Sequence, residues 1–194
     1  MKLILASNNA NKLREFRSLV ADMDIELLSQ REAGCDFEVD ETGTTFEENA
    51  YLKASAVTAA TGYAAVADDS GHCVDALNGE PGIYSARYGL GHAASDRERY
   101  EYLLKKLEGV EDRSARFVCC ICCTFPDGSV IRSRGECEGE ILHSPKGSGG
   151  FGYDPVFHPD CVDKAMAELT PEEKNAISHR GKALRAFIEE LRKI

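Results

Sequence analysis

The amino-acid sequence predicts an α/β fold in which a long mixed β-sheet is flanked by helices. Apolar strand-like segments alternate with amphipathic helical segments along the chain, which is typical of this class. An antiparallel hairpin pattern in the middle makes the predicted sheet mixed rather than purely parallel. No repeat and no long linker interrupts the 194 residues, a length that suits one domain with a substantial core. We therefore assign residues 1–194 to a single domain.

The first elements are a strand and a helix joined by a polar turn. Residues 2–6 are apolar and strand-like, and residues 11–21 carry apolar side chains on one helical stripe. The polar sequence SNNANK, residues 7–12, joins the two. Residues 23–41 show short strands and loop.

A long helix and a second apolar strand follow. Thr45 and Glu48 form the pattern of a capping box, which predicts a helix that ends near Thr61. Residues 63–67 form a short apolar strand that runs into the sequence ADDSG at 67–71. We expect this sequence to form a turn at the carboxyl end of the strand, where α/β proteins bind ligands.

The central part of the chain predicts a loop, a helix and a hairpin. Glycine and proline dominate the loop at 78–91. Ser95 and Glu98 form a second capping box at the start of an amphipathic helix. Residues 115–125 and 129–142 read as the two strands of an antiparallel hairpin, with PDG as its turn.

The C-terminal part predicts a glycine-rich loop and a helical region. The loop spans residues 144–155. Thr170 begins a third capping box, with a proline at the first helical position. The helical pattern continues to Leu191, and we expect Gly181 to break it.

Charge and hydropathy narrow the classes of partner. The formal net charge of −10 argues against an extended nucleic-acid surface, because such surfaces need dense Lys and Arg. It allows a small anionic ligand if a local basic cluster or a divalent cation meets it. No apolar run approaches the roughly 20 residues that span a bilayer, and no signal peptide is evident. We therefore expect a cytoplasmic protein that binds neither nucleic acid nor membrane.

Four of the eight cysteines lie in the sequence RFVCCICCTF. Cys119 and Cys122, like Cys120 and Cys123, have the spacing of a metal or redox pair. The flanking residues are β-branched and aromatic, however, and side chains alternate in a strand, so that each pair would face opposite ways. We interpret these cysteines as small buried hydrophobic residues of a reducing compartment; a metal or redox protein remains the alternative.

Four polar segments are candidates for chemistry. In SNNANK, free N–H groups at a helix N-terminus and Lys12 could bind phosphate, and Asn8 could adopt the left-handed backbone that glycine usually supplies. The alternative is an ordinary helix cap. In ADDSG, adjacent carboxylates could bind Mg²⁺ or accept a proton from water; a surface turn is the alternative.

The other two segments carry aromatic and basic residues. In KGSGGFGYDP, Phe151 and Tyr153 offer flat faces for a base, and Asp154, held extended by Pro155, could accept from a ring N–H. In EKNAISHRG, Lys174 and Ser178 would share one helical face. The guanidinium of Arg180 suits a carbonyl or phosphate oxygen, although cations near a helix C-terminus are also favourable without any ligand.

Taken together, these segments supply an anion-binding turn, carboxylates for a metal, a stacking aromatic ring and basic residues. This combination describes a site for a nucleoside triphosphate with Mg²⁺. In their order along the chain, SNNANK, ETGTTFEENAYLKA, ADDSG, PGIYSARY, GGFGYDPVF and EKNAISHRG closely resemble the inosine/xanthosine triphosphate pyrophosphatases, over almost the whole chain. One departure is Asn8, since the family usually has glycine there.

The resemblance implies two α/β lobes around a central active-site cleft, a homodimer, and Mg²⁺-dependent hydrolysis of ITP, dITP and XTP to the monophosphate and pyrophosphate. It implies metal binding by Glu41 and Asp69, with Asp69 also the general base. Phe151 would stack on the base, while Lys174 would lie near the base or the phosphates. The implied triphosphate-binding residues are Ser7, Asn8, Asn9, Ala10, Asn11, Lys12, Lys53 and Ser70. The implied base-binding residues are Phe151, Asp154, His179 and Arg180, and Gly152 and Tyr153 are further implied substrate-binding residues.

The implied reaction is attack by water on the α-phosphorus, with pyrophosphate as the leaving group. We expect a donor at Arg180 and an acceptor at Asp154 to favour 6-oxopurines, because adenine presents the reverse pattern and leaves buried groups unpaired. Two alternatives remain open: a pyrophosphatase for modified pyrimidine nucleotides, and a regulatory module that binds a nucleotide without cleaving it.

Overall fold

The computed structural model describes residues 1–89, 91 and 93–194, and within these it leaves the side chains of Asn11, Glu15 and Leu19 undescribed. Seven strands form one mixed sheet, and five α-helices accompany them. This confirms the predicted α/β class with a mixed sheet. The chain divides into two compact units, the first formed by residues 1–69, 119–134 and 183–194 and the second by residues 70–118 and 135–182.

The seven strands lie in the order β2-β1-β3-β5-β6-β7, and β4 pairs with β3 off this path. Strand β1 pairs in parallel with both β2 and β3, whereas β4 and β7 pair antiparallel with β3 and β6. The strands are β1 Lys2–Leu5, β2 Glu26–Ser29, β3 Ala64–Val74, β4 Pro81–Gly82, β5 Ser114–Thr124, β6 Val130–Ile141 and β7 Phe157–Pro159. The predicted central hairpin is therefore β5 and β6.

Caps set the starts of most helices. Ser95 and Thr170 each form the complete capping box that the sequence predicts. At Thr45 only half of the box forms: the Thr45 hydroxyl accepts the N–H of Glu48, but the Glu48 carboxylate accepts from the N–H and hydroxyl of Thr44 instead. The helices are α1 Ala10–Leu19, α2 Phe46–Thr61, α3 Asp96–Lys106, α4 Pro171–Ile177 and α5 His179–Leu191.

The ADDSG sequence lies inside a strand, so the predicted turn there is wrong. Strand β3 continues through residues 67–71 to Val74. Its first part pairs with β1, where Val66 lies opposite Leu5, and its last part pairs with β4, where His72 lies opposite Gly82. Because β1 ends at Leu5, the two aspartates of β3 lie just beyond the carboxyl end of the neighbouring parallel strand. The aspartates were predicted to lie at the end of their own strand. They lie instead beside the end of the neighbouring strand β1.

The predicted helix break at Gly181 is also wrong. Ser178 has extended backbone angles, φ −65° and ψ 154°, and separates α4 from α5, while Gly181 lies in the first turn of α5. The Ser178 hydroxyl accepts the N–H of Gly181 at 3.1 Å, as an N-cap residue does. Lys174 and Ser178 therefore do not share a helical face, and Arg180 begins a helix instead of ending one.

Each unit has its own apolar core. In the first, Leu3 and Leu5 of β1 pack with Phe16 of α1 and Phe187 of α5. In the second, a separate cluster includes Val74, Leu103, Phe117, Tyr153 and Phe157. Among the described residues, no helix combines the length and apolar character needed to cross a membrane.

The cysteine-rich segment is a buried strand, as predicted. Cys119, Cys120, Cys122 and Cys123 all lie buried in β5, and all eight cysteines are free thiols. Burial raises the pKa of Cys122 to about 11 and that of Cys123 to about 12, so these thiols stay protonated and unreactive at neutral pH.

Candidate active site

The SNNANK segment caps helix α1. The side-chain oxygen of Asn9 accepts the N–H of Lys12 at 3.2 Å, and the Ser7 hydroxyl accepts the N–H of Asn9 at 3.1 Å. The side-chain oxygen of Asn8 accepts the N–H of Arg31 at 3.1 Å. Among the described non-glycine residues, a positive φ occurs at Asn78 alone, so the left-handed conformation considered for Asn8 is wrong. The side chain of Asn11 lies outside the described part of the chain.

Lys12 reaches from the first turn of α1 to strand β3. Its ammonium lies 2.7 Å from a carboxylate oxygen of Asp68, whose side chain is 2% exposed. Parallel pairing of β1 with β3 explains the contact, because the turn after β1 and the continuation of β3 lie at the same edge. The predicted anion-binding turn and the predicted carboxylate segment are thus neighbours.

Lys53 of α2 holds two carboxylates together. Its ammonium lies 2.8 Å from Glu41 Oε1 and 3.5 Å from Asp69 Oδ1. Burial raises the pKa of Asp69, and Lys53 only partly opposes this effect. Burial also lowers the pKa of Lys53, but the carboxylates of Asp69 and Glu41 outweigh it, and the pKa ends above the usual value.

Asn49 supports this arrangement, although sequence reasoning missed it. Its amide nitrogen donates to Asp69 Oδ2 at 3.2 Å, and its amide oxygen accepts the N–H of Gly43 at 2.9 Å. A Cβ at Gly43 would lie 2.6 Å from that oxygen, so only glycine fits there. Asn49 precedes Lys53 by four residues and shares its helix face. Asn49 is the one polar side chain among the buried residues of α2, which is visible in the structure and not in the sequence.

In the second unit, Phe151 presents an exposed ring beside two cations. Phe151 is 59% exposed. The ammonium of Lys174 lies 4.3 Å from its centroid, and the guanidinium carbon of Arg180 lies 5.8 Å from it. Both distances are within the range of cation–π contacts. An exposed aromatic face flanked by donors is suited to stacking with a heterocyclic base.

Asp154 organises the loop that carries Phe151. Its buried carboxylate oxygen Oδ2 accepts the N–H of Phe151 at 2.8 Å and pairs with the Lys174 ammonium at 2.5 Å. Asp154 begins a short 3₁₀-helix that ends at Val156, so the predicted extended backbone is wrong. Gly150 has φ +74°, and a Cβ there would collide with the same carboxylate. Beside it, Gly152 donates its N–H to Asp96 at 2.7 Å, a contact that the sequence did not suggest.

His179 and Arg180 begin helix α5. The His179 ring stacks on Phe117, with centroids 4.8 Å apart and planes 12° apart. Arg180 Nη2 lies 3.4 Å from the hydroxyl oxygen of Ser70. A cation at a helix N-terminus gains nothing from the helix dipole. The alternative explanation, a favourable cation at a helix C-terminus, therefore does not apply to Arg180.

Tyr153 faces the core, so its ring does not offer the solvent-exposed flat face that the sequence predicts. Its ring is buried, and its hydroxyl donates to the carbonyl oxygen of Ser85 at 2.8 Å. Tyr153 therefore supports the loop from beneath, and Phe151 is the aromatic face of this segment that solvent reaches. His72 stacks on Tyr153 within the same core, another residue that sequence reasoning did not select.

The candidate residues thus form two groups. We call the group in the first unit the carboxylate–lysine cluster, and the group in the second unit the aromatic–basic cluster. Asp69 of the first and Ser70 of the second are consecutive along the chain. The carboxylate–lysine cluster consists of Lys12, Glu41, Lys53, Asp68 and Asp69. The aromatic–basic cluster consists of Ser70, Phe151, Asp154, Lys174, His179 and Arg180.

The carboxylate–lysine cluster fits a divalent cation in its donor chemistry. Glu41 and Asp69 supply the carboxylate oxygens that Mg²⁺ prefers as ligands. Both carboxylates contact the ammonium of Lys53, so they lie close enough together to contact a single cation. Among the described residues, no group of three or more His, Cys, Asp or Glu side chains could hold a metal. Any Mg²⁺ there would need further oxygens, which water and substrate phosphates commonly provide.

Comparison with known proteins assigns the family. The sequence profile of the Ham1 family matches residues 3–190. The chain belongs to the Ham1 family. A Ham1 protein of Staphylococcus aureus superposes with a TM-score of 0.94 at 44% identity, covering 100% of this chain and 99% of that one. A HAM1 protein of Coxiella burnetii gives a TM-score of 0.95 at 42% identity, with both chains fully covered.

Curated Ham1 relatives carry the name of an enzyme. A dITP/XTP pyrophosphatase of Nostoc is 50% identical over 190 residues, which cover 97% of this chain and 93% of the relative. A dITP/XTP pyrophosphatase of Treponema denticola is 48% identical over 186 residues, covering 95% of each. These names agree with the family that the sequence motifs resemble.

Proposed function

We propose that this protein hydrolyses non-canonical purine nucleoside triphosphates, namely ITP, dITP and XTP, to the monophosphate and pyrophosphate. The observation that carries the proposal is the contact of Lys53 with Glu41 and Asp69 in the carboxylate–lysine cluster. The chain that holds this cluster is 50% identical to a relative named dITP/XTP pyrophosphatase. Paired carboxylates and lysines are the groups that such chemistry needs, since phosphoryl transfer depends mainly on positioning and charge neutralisation.

At the phosphate end, Lys12, Lys53 and the N–H groups at the start of α1 would bind the triphosphate. Mg²⁺ held by Glu41, Asp69 and phosphate oxygens would neutralise charge when bound. Asp69 would take the proton of the attacking water. Asn49 would keep its carboxylate oriented.

At the base end, Phe151 would stack on the purine and Arg180 would donate to the 6-oxo group. Asp154 would be the acceptor for the ring N–H, with Lys174 and His179 beside it. A donor at Arg180 and an acceptor at Asp154 match the 6-oxo group and ring N–H of hypoxanthine and xanthine. Adenine has the reverse arrangement of donor and acceptor at these positions. The exposed ring of Phe151 beside two cations supports the assignment, and the contact of Asp154 with Lys174 places this carboxylate beside the same ring.

We also propose a homodimer that works in the cytoplasm. The eight free thiols support a reducing compartment, and the homodimer follows from the family resemblance. Light scattering after size-exclusion chromatography measures the mass directly: twice the 21.2 kDa of one chain supports the dimer, and a single-chain mass refutes it.

A substrate panel tests the activity. Purified protein is assayed with ITP, dITP, XTP, GTP, ATP and dTTP, with and without Mg²⁺, and the products are identified. We expect the first three to be the best substrates and pyrophosphate to be released only with Mg²⁺. A preference for dTTP, release of inorganic phosphate, or tight binding without turnover would each refute the proposal.

A further inference from the structure

We propose that the Lys53 ammonium is a resident counter-ion of Glu41 and Asp69, which gives way when a divalent cation arrives together with a nucleotide. The protein without nucleotide would then bind free metal weakly. This inference rests on the proposed function for its ligand, but its test uses metal binding and not catalysis.

The first argument is the position of the ammonium. Lys53 Nζ lies within ion-pair distance of one oxygen from each carboxylate, 2.8 Å from Glu41 and 3.5 Å from Asp69. A divalent cation bound by Glu41 and Asp69 would have to lie close to this ammonium. An ammonium and a divalent cation repel each other at this distance, so each weakens the binding of the other to the two carboxylates.

The second argument is that the cluster offers a metal few other protein ligands. The described residues hold no group of three or more potential metal-ligating side chains, and two carboxylates alone leave most of an octahedral shell to be filled. A triphosphate fills it with phosphate oxygens. The same phosphates accept the displaced ammonium, which explains how one lysine can serve both states.

The third argument is the limited solvent around the cluster. The side chains of Lys53 and Asp69 are 16% and 14% exposed, so a charge left uncompensated there is costly. A resident ammonium avoids that cost while the protein is empty. Lys2 offers a contrast in the same unit, since it pairs with Glu26 at 3.9 Å on an exposed surface.

The test measures Mn²⁺ binding by electron paramagnetic resonance, without nucleotide and at fixed pH. We expect weak binding by the wild type, at least tenfold tighter binding by Lys53→Met, and no change in the control Lys2→Met. Adding Glu41→Gln to Lys53→Met should abolish the gain. With a non-hydrolysable ITP analogue, the wild type should bind Mn²⁺ tightly in a ternary complex.

Two results overturn the inference: tight Mn²⁺ binding by the nucleotide-free wild type, or no gain in Lys53→Met over Lys2→Met. Thermal melting establishes that each variant is folded, and Lys53→Gln replaces Lys53→Met if the latter is not. Titration of the wild type with Mn²⁺ tests the first of these results without any variant. If Mn²⁺ behaves as expected but ITP is not hydrolysed, only the proposed function fails; hydrolysis with tight binding of free Mn²⁺ leaves that function intact and refutes this inference.

Discussion

The imidazole of His72 stacks on the phenol ring of Tyr153, with ring centroids 5.3 Å apart and planes 12° apart. Phe117 and Phe157 meet the imidazole edge to face at 4.4 and 5.3 Å. His72 is fully buried, and neither ring nitrogen has a hydrogen-bond partner in the described part of the chain. The imidazole therefore serves as an aromatic packing element beneath the loop that carries Phe151.

Acid should destabilise the fold through His72. Burial lowers its pKa from 6.5 to about 3, so below pH 6.5 the unfolded chain binds a proton that the folded protein excludes until about pH 3. The free energy of unfolding should therefore decrease as the pH is lowered from 6.5 to about 3, by up to about 1.4 kcal/mol per pH unit. Urea denaturation of wild type and His72→Leu from pH 7 to 4 measures the slope. An equal slope in both would refute the prediction.

Replacing Lys12 should separate stability from activity. Lys12→Met removes the ammonium 2.7 Å from the buried Asp68 carboxylate, and we expect a loss of about 1–3 kcal/mol in unfolding free energy. The double variant Lys12→Met with Asp68→Asn should recover most of this stability, because the carboxylate that lost its partner is then neutral. It should not recover kcat/KM for ITP. Recovery of both would show that Lys12 acts only on folding.

Phe151 should contribute mainly to substrate binding. Base stacking on an aromatic ring is worth about 1–3 kcal/mol, so Phe151→Ala should raise the KM for ITP roughly 5- to 150-fold while kcat changes less. Phe151→Trp should retain binding, because a flat face remains. Phe37→Ala removes an exposed phenylalanine of the other unit and is the matched control. A similar KM in Phe151→Ala and in wild type would exclude stacking.

Asp154 should control discrimination between bases. Asp154→Asn keeps the shape but removes the ion pair to Lys174 and weakens the contact to the Phe151 N–H. We expect the ratio of kcat/KM for ITP over ATP to fall at least tenfold. The exposed Asp160 provides the control, Asp160→Asn. If both variants kept the wild-type ratio, Asp154 would have no part in selecting the base.

Asp69 should be indispensable for turnover. Asp69→Asn preserves the size of the side chain but removes its basicity, so hydrolysis should fall by at least 10²-fold. Binding of ITP, measured by calorimetry, should remain detectable, because Phe151, Lys12 and Lys174 are unchanged. An active Asp69→Asn enzyme would remove Asp69 as the general base.

The features that the sequence predicted correctly depend on local patterns. Ser95 and Thr170 each have an acidic partner three residues away, and both capping boxes form. The cap at Asn9 is equally local. The cysteines of β5 were assigned from alternation and from their apolar neighbours, which concern one strand only.

The features that the sequence did not reveal depend on distant pairing. Strand β3 passes through ADDSG because β4 pairs with its end, and no pattern within residues 63–71 records that partner. The contact of Asn49 with Asp69 spans 20 residues. The misplaced helix break has a local cause. The break was predicted at Gly181, but Ser178 separates the two helices. Serine is a favoured N-cap residue, so Ser178 was a stronger signal for the start of a new helix.

The interruption at Ser178 sets an angular relationship between two cations. In one continuous helix, Lys174 and Arg180 would be six residues apart and would point in directions about 120° apart. The extended backbone of Ser178 changes the direction of the chain between α4 and α5. As a result, both cations lie beside the ring of Phe151. A more helical sequence here would lose that convergence while keeping every charged side chain. The chemistry of this segment therefore depends on a local failure of helix propagation.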